Sequence, residues 1–270
     1  MNANTPVVAI EARHAGKVYP NGVRALEPVS LSVRAGEFAT VIGPSGCGKS
    51  TLLRMVAGLT APSLGSIALW PAAHAMGGMA RVDQLAFVFQ HPTLMVWASV
   101  EQNVRLPLQL AHVDRVDADA KVSYALALVR LEEFRNAYPR ELSGGMQMRT
   151  SIARALVTQP RLLLMDEPFG ALDEITRSRL DQDLLALWAE EALTVLFVTH
   201  SIYEAVYLST RVLVMSERPG QIFAEVIVDE PYPRSEAFRG SERFAHYCAR
   251  LNEHLASASH ESPSDGSAAA

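Results

Sequence analysis

Short apolar runs rich in β-branched residues recur along this chain, separated by longer stretches of helical periodicity. They are Phe38 to Ile42, Ile67 to Leu69, Leu85 to Phe89, Leu162 to Met165, Thr194 to Thr199 and Val212 to Met215. None alternates strictly between apolar and polar, which predicts strands covered on both faces, the arrangement of an α/β sheet. Ile222 to Val228 alternates more evenly and predicts an edge or antiparallel strand. Between Thr93 and Gly145 the strand pattern stops. Val122, Leu126 and Val129 share a helical face there and Pro139 interrupts it, which predicts a helical subdomain at about 93–157, inserted between two sheet-forming halves. Over 235–255, Phe244, Cys248, Leu251 and Leu255 fall at helical spacing and predict an amphipathic helix on the core. Residues 256–270 carry no large apolar side chain and are expected to be disordered.

Composition narrows the classes. The 270 residues are 49% hydrophobic, enough to bury a sizeable core in one large domain or two small ones. Lys and Arg total 24 against 29 Asp and Glu, a formal charge of −5, so the basic footprint of a general nucleic-acid binder is missing. Two cysteines, Cys47 and Cys248, are too few for a disulfide framework or a four-ligand zinc site, and they point to the reducing cytosol. The apolar runs are far shorter than the roughly 20 residues that cross a bilayer. Met1 to Ile10 lacks the basic-then-apolar pattern of a secretory signal.

Gly43-Pro44-Ser45-Gly46-Cys47-Gly48-Lys49-Ser50-Thr51 follows the strand Phe38 to Ile42 and opens the helical run Leu52 to Gly58. Strand, glycine-rich turn and helix N-terminus together form the context of a P-loop. Its glycines let successive backbone N–H groups face one concavity, and the helix dipole adds positive potential where phosphates sit. Lys49 is expected to reach the β- and γ-phosphates of ATP, and Ser50 to bind Mg²⁺. Leu162 to Met165 is a buried strand that runs into Asp166 and Glu167. Asp166 fits the carboxylate that holds the Mg²⁺ shell beside a P-loop. Glu167, one position further, is placed to polarise a water for attack on the γ-phosphate.

Leu142-Ser143-Gly144-Gly145-Met146, ahead of the helical run Thr150 to Val157, is a second glycine turn feeding a helix N-terminus. It resembles the signature motif of the ATP-binding-cassette (ABC) ATPases, and the resemblance spans roughly Val8 to Arg234. That resemblance implies an α/β fold: a P-loop NTPase core with a mostly parallel sheet, an antiparallel β portion and an inserted helical subdomain. It implies a head-to-tail dimer in which the P-loop of one chain and Ser143, Gly144 and Gly145 of a second copy enclose each ATP. Gln90 stands where the family has its Mg²⁺- and water-contacting glutamine, His200 where it has the histidine on the γ-phosphate, and Asp173 in the loop that touches the partner chain. Tyr19 lies where the family stacks an aromatic ring on adenine, with ordinary packing as the alternative. Met146 departs from the family's usual glutamine, with Gln147 following. Trp70 to Ala80 departs as well and has no assigned role.

Thr93-Leu94-Met95-Val96-Trp97, with Ser216-Glu217-Arg218-Pro219-Gly220 later, resembles the nitrate, sulfonate and taurine importer branch of the transporters. The resemblance implies a motor subunit peripheral to the cytoplasmic face of the inner membrane. It would dock on separate integral-membrane permease subunits and serve an extracytoplasmic solute-binding protein indirectly. In that reading Leu94 and Trp97 form an exposed contact; in the plainer one they fill the helical subdomain's core. The competing class is a soluble cassette ATPase acting on nucleic acid or ribosomes. Sustained heptads and a second cassette, which many of those proteins carry, are both missing from the sequence.

Overall fold

The computed structural model describes residues 7–71 and 85–260. Among them, strands β1 (Val8–Val18), β2 (Arg24–Arg34) and β4 (Leu64–Leu69) form an antiparallel sheet in the order β2-β1-β4. A second sheet has the order β5-β6-β7-β3-β8-β9, from β3 (Phe38–Ile42), β5 (Leu85–Val88), β6 (Leu162–Asp166), β7 (Thr194–Val198), β8 (Arg211–Met215) and β9 (Ile222–Ile227). Its pairings are parallel except at the β8–β9 edge. The family's expected α/β architecture is present, and β9 is the antiparallel edge strand its alternation predicted.

The interior strands β3, β6 and β7 are buried because both faces of their sheet are covered, whereas β5, expected to be covered on both faces, is an edge strand that alternates buried Ala86 and Val88 with half-buried Leu85 and Phe87. Phe38, Ile42, Leu163, Met165, Val195 and Phe197 turn to one face, where they meet the helices. These are α2 (Val100–Leu110), α3 (Arg115–Leu128), α4 (Gly144–Leu156), α5 (Glu174–Glu191), α6 (Ile202–Leu208), α7 (Glu236–Arg239) and α8 (Glu242–His260). Ala39, Val41, Leu162, Leu164, Leu196 and Val198 turn to the other face, onto α1 (Lys49–Val56) and the antiparallel sheet.

Several expectations need correction. The amphipathic helix expected over 235–255 is two helices, α7 and α8, parted at Gly240 and Ser241. The run Ile67 to Leu69 is not a doubly buried strand of the parallel sheet: it belongs to the longer β4, half-buried to exposed, paired with β1. Three apolar residues are too few to show a period, so the run carried no information about its face. Residues 256–260 were expected in a disordered tail, yet α8 continues through them to His260, with Ala258 buried against the core; the remaining positions to 270 lie outside the described residues. β1 is irregular, because register shifts between Ala12 and Ala15 among others break the two-residue alternation, whereas β2 alternates plainly, with Val29, Leu31 and Val33 buried between exposed neighbours, and was legible in the sequence without being read there. Most of the divergent stretch Trp70 to Ala80 also lies outside the described residues.

The C-terminal helices dock through a buried charge. The Asp181 side chain on α5 is 1% exposed and accepts from Arg239 Nη2 on α7 at 2.8 Å. Arg239 also lies over the Tyr207 ring at 3.7 Å. Burial, opposed by Arg239, pushes the Asp181 carboxyl up to about 6. Removing the cation leaves that carboxyl buried and unpaired. Arg239→Ala is therefore expected to cost about 3–5 kcal/mol of unfolding free energy in urea titration, and adding Asp181→Asn should recover most of the loss.

Candidate nucleotide site

Register sets the site. Val198 pairs with Val41 on one side and with Asp166 on the other, so β3, β6 and β7 end at one level. The Gly43–Gly48 loop, Glu167 and His200 all emerge at this edge, where open parallel sheets carry their ligands. Gln90 lies two residues past β5, whose Val88 pairs with Met165, and is exposed at the same edge.

The Gly43–Gly48 loop is built as a close-packed turn. Gly46 and Gly48 take φ of +77° and +110°, conformations that favour glycine. A Cβ at Gly43 would fall 2.9 Å from the Met215 carbonyl oxygen, and one at Gly48 2.6 Å from that of Ala25. Pro44 and Ser45 complete the turn between them, and Cys47 is buried beneath it. Burial pushes the Cys47 thiol up, so it stays protonated packing. One supporting residue had no signal in the sequence: a Cβ on Gly220 would stand 1.9 Å from the Cys47 carbonyl oxygen. The 216–220 turn, noted earlier only for its wording, is the wall against which the loop is seated.

Helix α1 begins at Lys49, three residues before the apolar run that predicted it. Lys49 Nζ donates to the carbonyls of Gly43 and Pro44, each at 2.9 Å, and stands 3.8 Å from Glu167 Oε1. Ser50 Oγ donates to Asp166 Oδ1 at 2.7 Å. Burial pushes the Asp166 carboxyl above its usual range, while the Ser50 bond and nearby Arg54 and Lys49 pull it down. Glu167 has φ of +46°, a strained conformation for a residue with a side chain, and its N–H donates to the Val198 carbonyl at 2.9 Å. Its Oε2 lies 3.0 Å from His200 Nδ1. Thr51 Oγ1 bonds the Tyr19 hydroxyl at 3.2 Å, and Lys17 Nζ sits 5.5 Å from the Tyr19 ring centre. Tyr19 is thus joined to the start of α1, as either sequence reading allows.

The Ser143 turn stands apart. Ser143 caps α4, accepting from the Met146 N–H at 3.3 Å, which is why that helix starts at Gly144 rather than at Thr150. Among the described residues no hydrogen bond or ion pair joins 143–147 to the Gly43–Thr51 segment. A Cβ on Gly145 would meet Thr176 Cγ2 at 2.7 Å, and one on Gly144 would meet Leu172 Cδ2 at 3.3 Å. The turn is therefore seated on the start of α5, where Asp173 is the cap and accepts from the Thr176 N–H at 2.9 Å. Met146 packs on the core, and Gln147 bonds the carbonyls of Pro139 and Leu142.

A separate surface is held beside Gln90. Buried Asn103 accepts from the Met95 N–H at 2.7 Å and donates to the carbonyls of Met95, Ala98 and Ser99. Arg154 donates to the carbonyls of Pro92 and Thr93. The loop so clamped leaves Trp97 76% and Val96 69% exposed, with Leu94 half-buried. For Trp97 the core-filling alternative is overturned.

No helix among the described residues is long and apolar enough to cross a membrane. A family model described as ABC transporter matches residues 26–170. A putative ATP-binding protein of Brucella abortus is 46% identical over 83% of this chain and 85% of its own length. The aliphatic sulfonates import ATP-binding protein SsuB of Bacillus cereus is 44% identical over 79% of this chain and 82% of its own. Among solved structures, the dimeric bacterial ABC transporter cassette MJ0796 superposes with a TM-score of 0.69 at 30% identity, covering 82% of this chain and 100% of that one. MJ0796 is also known in a post-hydrolysis state bound to ADP and Pi. With a P-loop on a parallel sheet, a family match across more than half the chain and these relatives, the protein belongs to the ABC transporter family as one of its ATP-binding-cassette ATPases.

Proposed function

We propose that this ATPase is the motor subunit of an ABC importer for nitrate-, sulfonate- or taurine-like solutes, working as a head-to-tail dimer beneath integral-membrane permease subunits. The observation that carries the hydrolytic part is the convergence of Lys49, the Ser50–Asp166 pair and the Glu167–His200 pair at one sheet edge. The loop amides and Lys49 would hold the phosphates of ATP.

Ser50 and Asp166 fit Mg²⁺. One hydroxyl and one carboxylate make the sparse oxygen set this ion takes when water and phosphate supply the rest, and a dication offsets the burial that raises the Asp166 carboxyl. Bound there, Mg²⁺ would neutralise phosphate charge, with exposed Gln90 at the same edge to contact it. Glu167 takes the proton of the attacking water, and His200 holds the Glu167 carboxylate while facing the γ-phosphate. Tyr19 supports the adenine side.

The separation of the Ser143 turn from its own chain's P-loop supports a second copy as the bearer of Ser143, Gly144, Gly145 and Asp173, as does the dimeric MJ0796 cassette. The sulfonate-import relatives support the importer class and, through it, a peripheral position on the cytoplasmic membrane face and an indirect link to an extracytoplasmic solute-binding protein. A clamped loop with exposed Trp97 supports a permease contact.

Glu167→Gln keeps the size of the side chain and loses the charge that draws the proton. Hydrolysis should fall by about 10²-fold or more with ATP binding retained, and the variant should elute as an ATP-dependent dimer in size-exclusion chromatography. A monomer that turns over at the wild-type rate would move the base elsewhere. Lys49→Ala removes the cation facing the phosphates, so both hydrolysis and binding of a fluorescent ATP analogue should be lost. Replacing Leu94 and Trp97 with polar residues should leave the ATPase of the isolated protein intact and abolish transport by the complex reconstituted in vesicles. Trp97 is already exposed, so the melting temperature should move only by the share that half-buried Leu94 contributes.

A further inference from the structure

Two segments flank the water-attack position proposed above: the loop 169–173 that follows Glu167, and the turn that carries His200. They approach closely, since a Cβ on Gly170 would lie 3.5 Å from His200 Cε1 and 3.5 Å from the Glu167 carbonyl oxygen. One side chain ties them together. Arg177, at the start of α5, donates from Nη2 to the Leu172 carbonyl at 2.9 Å and from Nε to the Phe169 carbonyl at 3.3 Å. The same Nε stands 3.4 Å from Glu204 Oε1 on α6.

Glu204 in turn holds the His200 turn. Its side chain is 4% exposed, and its Oε2 accepts from the Thr199 hydroxyl. Thr199 Oγ1 accepts from the Ser201 N–H at 3.0 Å, and Ser201 Oγ accepts from the Glu204 N–H at 3.3 Å. Both neighbours of His200 are therefore bonded into one small ring closed by the Glu204 carboxyl. Among the described residues Arg177 makes that carboxyl's one ion pair. The planar guanidinium suits the task, because it reaches two carbonyls and a carboxylate with fixed geometry and a lysine ammonium does not.

We propose that Arg177 and Glu204 form a strut that fixes the spacing between the 169–173 loop and the His200 turn, making Arg177 a positioning residue for hydrolysis. Arg177 touches neither the Gly43–Thr51 loop nor Glu167 directly, so it acts through the segments it spans. The inference rests on the reading that Glu167 and His200 face the γ-phosphate. A displacement of about 1 Å at a reacting group costs up to 10²-fold in rate, so loss of the strut is read in turnover and not in ATP affinity.

The test compares Arg177→Leu, Arg177→Lys, Glu204→Gln and the double variant Arg177→Leu/Glu204→Gln. It is run at pH 8, because burial, reinforced by neighbouring Asp181, pushes Glu204 up to about 7 against the pull of Thr199, Arg177 and His200. The dissociation constant of a fluorescent ATP analogue and kcat at saturating Mg-ATP are measured for each. Arg177→Leu and Arg177→Lys are both expected to lose about 10-fold or more in kcat with the dissociation constant within about two-fold of wild type. The double variant should fall no further than Arg177→Leu, because both changes break one strut. Losses in the double variant that multiply, affinity that falls in step with kcat, or full turnover by Arg177→Lys would overturn the proposal. Should Arg177→Leu not fold, Arg177→Lys keeps a cation beside Glu204 and carries the comparison. Glu167→Gln, measured alongside, separates the two readings: wild-type turnover there refutes the role of Glu167, whereas the split between kcat and affinity at Arg177 judges the strut.

Discussion

The nucleotide site depends on the parallel pairing of β7 with β3 and β6. Val198 is the shared rung, opposite Val41 on one side and Asp166 on the other, and Asp166, Glu167, His200 and the start of the Gly43 loop all lie within two positions of that level. A slip of one residue in either pairing would exchange the faces of a whole strand, moving Leu163 and Met165 to the α1 side and separating Asp166 from Ser50. Two dissimilar layers resist the slip. Aromatic Phe38 and Phe197 fill the helical face, and small or aliphatic Ala39, Val41 and Leu196 fit beneath α1. Packing on both faces thus specifies the position of a carboxylate at the edge.

That edge then concentrates charge. Asp166 is buried with a single hydroxyl donor, Glu167 lies between Lys49 and His200, and the Lys49 ammonium is held by carbonyls of its own loop. The arrangement leaves donors and acceptors facing one another at a place where a polyphosphate and a dication would satisfy both. The strain at Glu167, a residue with φ of +46° fixed by its bond to Val198, persists because the sheet holds both ends of it.

Much of this was legible because it is local. A strand, a glycine-rich turn and a helix start specify the loop within fifteen residues, and two carboxylates after an apolar run mark a strand end. The helical runs read from the sequence start late, α1 by three residues and α4 by six, since Lys49 and Ser50 in one, and Gly144, Gly145 and Gln147 in the other, show no apolar periodicity while the backbone is already helical. What escaped it depends on contacts between distant segments. Gly220 matters because the Cys47 carbonyl lies against it, and Arg177 because it spans to Glu204; neither partner can be inferred from neighbouring residues. The irregular β1 hid for a different reason, since its register shifts erase the alternation that reveals a half-buried strand.

In the Ser143 turn one pair of glycines stands under two demands, one observed in the packing and one proposed for the dimer. Read as a sequence, Gly144 and Gly145 are a phosphate-binding helix start. In the fold, Gly145 has no room for a Cβ because Thr176 of α5 occupies that space, and Gly144 borders Leu172. A side chain at 145 would force Thr176 to move, so packing favours glycine there apart from any ligand. The same packing fastens the turn to the segment that carries Asp173 and receives Arg177. In the proposed dimer, Ser143 and Asp173 would meet the partner from one seated unit, and Arg177 would join that unit to the His200 turn of its own chain. Thr176, Arg177 and Glu204 thus connect the seat of the Ser143 turn to the Thr199 and Ser201 neighbours of His200 within one chain.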